Sequence, residues 1–210
     1  MFKKRFRGFM LLVSCMCVGL ISFSLFSSVS QATYFQWKWK TISYQGDVVL
    51  RVNGDNLHSS YSGSTFTRGL DLWSNSGANV TIQTAPIPTS NVDIFGVDKS
   101  TWNKNGWGNG YAWTQPYKDN GLACMASPVS DYTIHCGTGS EVNYAGIFTN
   151  DGNIITSSKR KALIAHELGH VMGLAHTSFI TAKSTSLMTA GLAGGLVPSA
   201  YDVSEVNSRY

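Results

Sequence analysis

His166-Glu167-Leu168-Gly169-His170-Val171-Met172-Gly173-Leu174-Ala175-His176 is the stretch on which the reading of this chain turns. Upstream, Ala162, Leu163, Ala165 and Leu168 recur at helical spacing, so a helix is expected from about Ser158. Gly173, a residue suited to a left-handed cap, is expected to end it. On such a helix His166 and His170 stand four apart, one turn above the other on one face, where both imidazoles reach a single metal ion. Glu167 points toward the same ion without joining its ligands, which suits it to hold and deprotonate a water. Gly173 lets the chain swing back and offers His176 as a third nitrogen ligand. Three imidazoles leave the fourth tetrahedral position open, the pattern of a catalytic rather than a structural zinc site. Five specified positions coincide by chance on the order of once in ten million starting points, which outweighs a reading as scattered surface or core histidines. His58 and His135 lack this context and read as ordinary polar residues.

The motif resembles that of the metzincin zinc proteases and is most similar to the matrixins, the group of the matrix metalloproteases and small bacterial relatives. Ser186-Leu187-Met188 follows the third histidine as the family's Met-turn does, so the resemblance implies that Met188 lies beneath the metal. Phe66-Thr67-Arg68-Gly69-Leu70-Asp71-Leu72-Trp73-Ser74 is similar to the family's first helix, and Ala78 to Thr81 to the strand after it. Tyr201 to Tyr210 resembles the closing helix. The resemblance implies an α+β, zincin-like catalytic domain. Its parts would be a twisted mixed β-sheet, a long active-site helix carrying the HExxH motif, a Met-turn and a C-terminal helix. It also implies one catalytic Zn2+ on His166, His170 and His176, with Glu167 as general base. The chain departs from the family in three places. No cysteine-switch pattern lies between the N-terminal segment and the first expected strand, so latency by a thiol on zinc is not expected. Ala190 stands where an astacin-type tyrosine ligand would follow Met188. The acidic, glycine-rich loops that bind Ca2+ are not recognisable, so no motif supports calcium.

Asp47 to Val52 alternates as a strand does, and Val80-Thr81-Ile82 and Val92 to Phe95 read as further short strands. Phe66, Leu70 and Trp73 predict a helix over about 64–74, stopped by Asn75-Ser76-Gly77. Residues 100–139 are rich in Gly, Asn, Trp and Tyr and read as irregular loops pinned by Trp102, Trp107 and Trp113. Those rings are expected mainly to close the core. Glu141 to Thr149 reads as one more strand, turned at Asp151-Gly152-Asn153. Asp202 to Tyr210 reads as a short terminal helix.

Lys3, Lys4, Arg5 and Arg7 account for the whole net charge of +4. From Thr33 onward acidic and basic side chains balance, which argues against nucleic acid and anionic membrane as partners. The basic start precedes an apolar run from Phe9 to about Phe26, then the small residues around Ser30 and Ala32. This is the pattern of a secretory signal over residues 1–32, cut after Ala32. Two rival readings are an uncleaved membrane anchor and lipidation at Cys15 in Leu12-Val13-Ser14-Cys15. Residues 33–210 are expected as one secreted catalytic domain, monomeric and free of the membrane after cleavage. Cys124 and Cys136 then remain as an even pair bound for an oxidising compartment, either bridged or as two free thiols.

The function expected is zinc-dependent hydrolysis of a protein or peptide substrate. An extended substrate is expected to pair with an edge strand, either Glu141 to Phe148 or the Tyr111-Ala112-Trp113 region. Two alternatives are a zinc-binding protein of the same fold without significant proteolysis and a zinc hydrolase of non-protein, cell-wall amides.

Overall fold

A computed structural model describes residues 35–210 except 36, 44, 127–133, 138, 154 and 178–184. The expected signal segment, 1–32, lies outside the described residues. Three stretches with strong apolar patterning form the central strands: β2 (Val48–Asn56), β4 (Val92–Val97) and β8 (Glu141–Asn150). Their inward positions Val48, Leu50, Val52, Val92, Ile94, Val142, Ala145 and Ile147 are all buried. These strands lie side by side in parallel, with β3 (Val80–Thr84) parallel on the far side of β2. A two-residue β1 (Lys38–Trp39) extends the sheet along β8. The last strand, β5 (Ala112–Lys118), runs antiparallel to β8. The described residues are therefore α+β, with a mostly parallel sheet of six strands and four helices.

α1 (Ser64–Ser74) forms where apolar spacing predicts it. Parallel strands β2 and β3 need such a crossover to join them. α1 packs on α3 (Ser157–Val171), the long helix that carries the motif. Gly69 permits this approach, because a Cβ there would stand 2.8 Å from Ile164 Cβ. Trp73 is fully buried, and its indole Nε1 donates to the Ala165 carbonyl at 2.7 Å. Every residue of α3 from Ala162 to Val171 is buried. A helix apolar on all sides belongs in the core, and here the core surrounds the charged motif too.

The stretch 100–139 departs from the loop expectation. It contains α2 (Lys99–Lys104), the edge strand β5 and a small antiparallel pair, β6 (Met125–Ala126) with β7 (Ile134–His135). β5 is hard to see in the sequence because five of its seven positions stay partly exposed and Pro116 interrupts it. Proline fits there because its missing N–H faces away from β8. Trp102 is buried against Trp107 outside the main core, whereas Trp107 and Trp113 stack at 6.3 Å and stay half-exposed. The edge-strand expectation is also narrowed. Glu141 to Phe148 lies inside β8, which is paired with both β4 and β5, so the free edge is that of β5.

α4 (Ala200–Arg209) closes the chain. Ser199 caps it through Asp202 N, and the Asp202 carboxylate accepts in return from Ser199 N, a reciprocal capping box. Cys124 and Cys136 are joined in a disulfide. Among the described residues no helix is long and apolar enough to cross a membrane.

Candidate metal centre

Thr156 caps the start of α3, accepting from Lys159 N. The helix ends at Met172, and Gly173 follows with φ of +87°. That angle favours glycine, and space demands it as well: a Cβ would meet the Arg209 guanidinium at 3.1 Å. The reversal returns the chain to the helix, where Leu174 N donates to Gly169 O. His176 is thereby placed against His166 and His170, as the sequence predicts.

The nitrogen geometry is that of a cation site. His166 Nδ1 lies 2.7 Å from the Leu187 carbonyl and His170 Nδ1 lies 2.8 Å from the Leu174 carbonyl. A carbonyl oxygen only accepts, so each Nδ1 carries the proton and each Nε2 presents a bare lone pair. Both of these Nε2 atoms stand 3.1 Å from His176 Nε2. A single proton on His176 could serve only one of them, so at least one contact sets two lone pairs against each other. A cation among the three removes that conflict. Nitrogens about 2.0–2.1 Å from a tetrahedral zinc ion stand roughly 3.3 Å apart, close to the spacing found. Among the described residues this is the one cluster of three or more metal-binding side chains whose ligand atoms converge.

Burial sets the charge state. It depresses His166 to a pKa of about 4 and His176 to about 3. His170 is held well below the usual histidine range by burial first and by its two histidine neighbours second. All three imidazoles are thus neutral near pH 7, the form that binds metal. Burial raises Glu167 to about 7, against the opposing effect of a hydrogen bond from Thr114. Thr114 Oγ1 donates to Glu167 Oε2 at 2.6 Å, which joins β5 to the motif. Phe35, Ala112, Trp113, Thr114, Glu167, His170 and His176 line one small cavity.

Met188 is buried against the helix. A Cβ on Gly169 would collide with its sulfur, which explains the glycine between Leu168 and His170. The Met188 segment is fixed from α4. Asp202, itself buried, accepts from Ser186 Oγ and from Leu187 N, and Ser186 Oγ accepts from Met188 N at 3.0 Å. Leu187 is the residue whose carbonyl orients His166, so α4 is linked to the ligand set through one residue.

Sequence reasoning places His166, Glu167, His170, His176, Gly173 and Met188 around one centre; the structure brings the three histidines together and Glu167 into the same cavity, with Gly173 following α3 and Met188 packed against Gly169. It misses Thr114, Asp202 and the two carbonyls. The capping pattern Ser199-x-x-Asp202 is a visible signal for Asp202. His58 stands apart, bonded to Ser60 and exposed. No known protein family and no curated protein matches the sequence.

Proposed function

We propose that this chain is a secreted, zinc-dependent endopeptidase of the matrixin-like kind. The observation that carries the reading is the convergence of three imidazoles, two of them buried with Nδ1 committed to a carbonyl, with a buried carboxylate beside them. His166, His170 and His176 are the ligands, and Met188 is the methionine beneath them. When bound, zinc supplies Lewis acidity, lowering the pKa of a coordinated water and polarising a carbonyl.

The protein's own groups divide the remaining work. Thr114 holds Glu167 Oε2, which leaves Oε1 to receive a proton from the attacking water. Glu167 then returns that proton to the departing amine. Burial raises the proton affinity of Glu167 in the metal-free protein, the direction that suits a carboxylate asked to accept a proton. The Leu174 and Leu187 carbonyls hold the ligand rings in one tautomer and orientation. The free edge of β5 runs along the cavity at Ala112 to Thr114. An extended peptide backbone pairs with such an edge, which favours a peptide over a cell-wall amide without one. The Cys124–Cys136 disulfide supports export to an oxidising compartment.

The test is metal analysis of the purified 33–210 fragment alongside casein hydrolysis with and without a chelator. One zinc per chain and chelator-sensitive cleavage are expected. Cleavage that survives complete metal removal overturns the reading.

A further inference from the structure

β5 has two edges, and one of them is largely occupied by the chain itself. Asn150 N donates to Tyr111 O, and the register continues through Trp113 opposite Phe148 and Gln115 opposite Gly146. Backbone groups alternate sides along a strand, so Ala112, Thr114, Pro116 and Lys118 turn theirs outward, away from β8. At Pro116 and Lys118 those groups are taken. Cys124 N donates to Pro116 O at 2.9 Å, and Lys118 N donates to Leu122 O at 3.0 Å. After a turn at Asn120-Gly121 the chain returns along β5 antiparallel, bridging Tyr117 with Ala123.

This arm is held from three directions. Gln115 Nε2 donates to the Cys124 carbonyl at 2.7 Å. The disulfide ties Cys124 to Cys136, and both are buried. Ser140 Oγ in turn donates to the Cys136 carbonyl at 2.6 Å, just before β8 begins. Among the described residues, no backbone partner takes the outward groups of Ala112 and Thr114, which lie along the cavity that contains Glu167 and His176.

We propose that the Leu122–Cys124 arm is a built-in stop that limits how much of a substrate lies on the edge strand. The inference rests on the peptidase reading above. A substrate that continues the arm's own track runs antiparallel to β5, with its N-terminal side facing Cys124. Pro116 lies two residues, about 6.8 Å, beyond Thr114. Sheet pairing on that side therefore ends within about three residues of the scissile bond. Among the described residues, no comparable arm pairs with β5 on the C-terminal side. The enzyme is thus selective for segments that bend away, or begin, shortly before the cleaved bond.

The test is kcat/KM for a fluorogenic peptide series with a fixed cleaved bond and a fixed C-terminal side. The N-terminal side grows from one to six residues. In the wild-type chain kcat/KM should rise by roughly fivefold per residue while pairing lasts and then level off after about the third. Gln115→Ala, and Cys124→Ser with Cys136→Ser, loosen the arm and should move the plateau to longer peptides. A wild-type rate that keeps climbing to the sixth residue overturns the stop while leaving the peptidase reading intact, and this outcome needs no variant to fold. The same plateau in both loosened forms also overturns it. No cleavage of any peptide overturns the peptidase reading, and the stop falls with it.

Discussion

Thr114 Oγ1 donates to Glu167 Oε2 at 2.6 Å, and both residues are buried. They lie 53 positions apart, one on the edge strand and one on the motif helix. The bond fixes which carboxylate oxygen is free to move a proton. Thr114→Val keeps the shape and removes the donor. It should lower kcat by roughly tenfold with KM little changed, and Thr114→Ser should restore most of the loss. Steady-state kinetics on one peptide separates this from a packing defect, which the serine would not repair.

Gly169→Ala places a methyl group against the Met188 sulfur. Helix propensity alone would stabilise the variant by up to about 1 kcal/mol. The collision should dominate, costing about 1–3 kcal/mol in denaturant unfolding and weakening zinc binding. A more stable variant would show that Met188 does not pack under the motif.

Asp202 is a buried carboxylate that satisfies Ser186, Leu187 N and the Ser199 cap at once. Asp202→Asn turns one acceptor oxygen into a donor facing donors. A loss of about 2–3 kcal/mol of stability is expected. Because Leu187 also orients His166, zinc affinity should fall by roughly 10- to 100-fold, measurable by competition with a chromophoric chelator.

The metal-free protein should lose stability in acid. Folded-state pKa values of about 4 for His166 and about 3 for His176 lie below the unfolded value near 6.5. Between these limits the unfolded histidines bind more protons, so their contribution is full above about pH 6.5 and declines as pH falls toward 4 and then 3, while Glu167, raised to about 7, opposes them with a single proton. Urea midpoints of the metal-free protein should fall from about pH 6 to 4, where the three histidines outweigh the one carboxylate. Substituting all three histidines by residues that do not titrate should flatten that slope.

How much was legible in advance follows from where each signal resides. α1 and α3 were readable because apolar spacing and end signals sit in the side chains themselves, and α1 spans the predicted 64–74. The ligand set was readable because a turn of helix fixes the relation of His166 to His170. β5 was legible only as one of two candidate edges at Tyr111-Ala112-Trp113, since Pro116 obscures its alternation and its neighbour β8 lies beyond a long excursion. Thr114 became visible only once that register brought it to Glu167. The Leu174 and Leu187 carbonyls have no side-chain signature at all. The cap of Asp202 on Ser199 is visible in the sequence, but its bonds to Ser186 and Leu187 come from a distant segment and are not.

The central claim is that the three histidines hold zinc while Glu167 moves the proton. Its most direct test is to measure zinc content and peptide hydrolysis side by side in wild type and Glu167→Ala. One zinc per chain in both proteins is expected, with hydrolysis reduced by at least roughly a thousandfold in the variant. Hydrolysis at the wild-type rate in a zinc-loaded Glu167→Ala protein would contradict it.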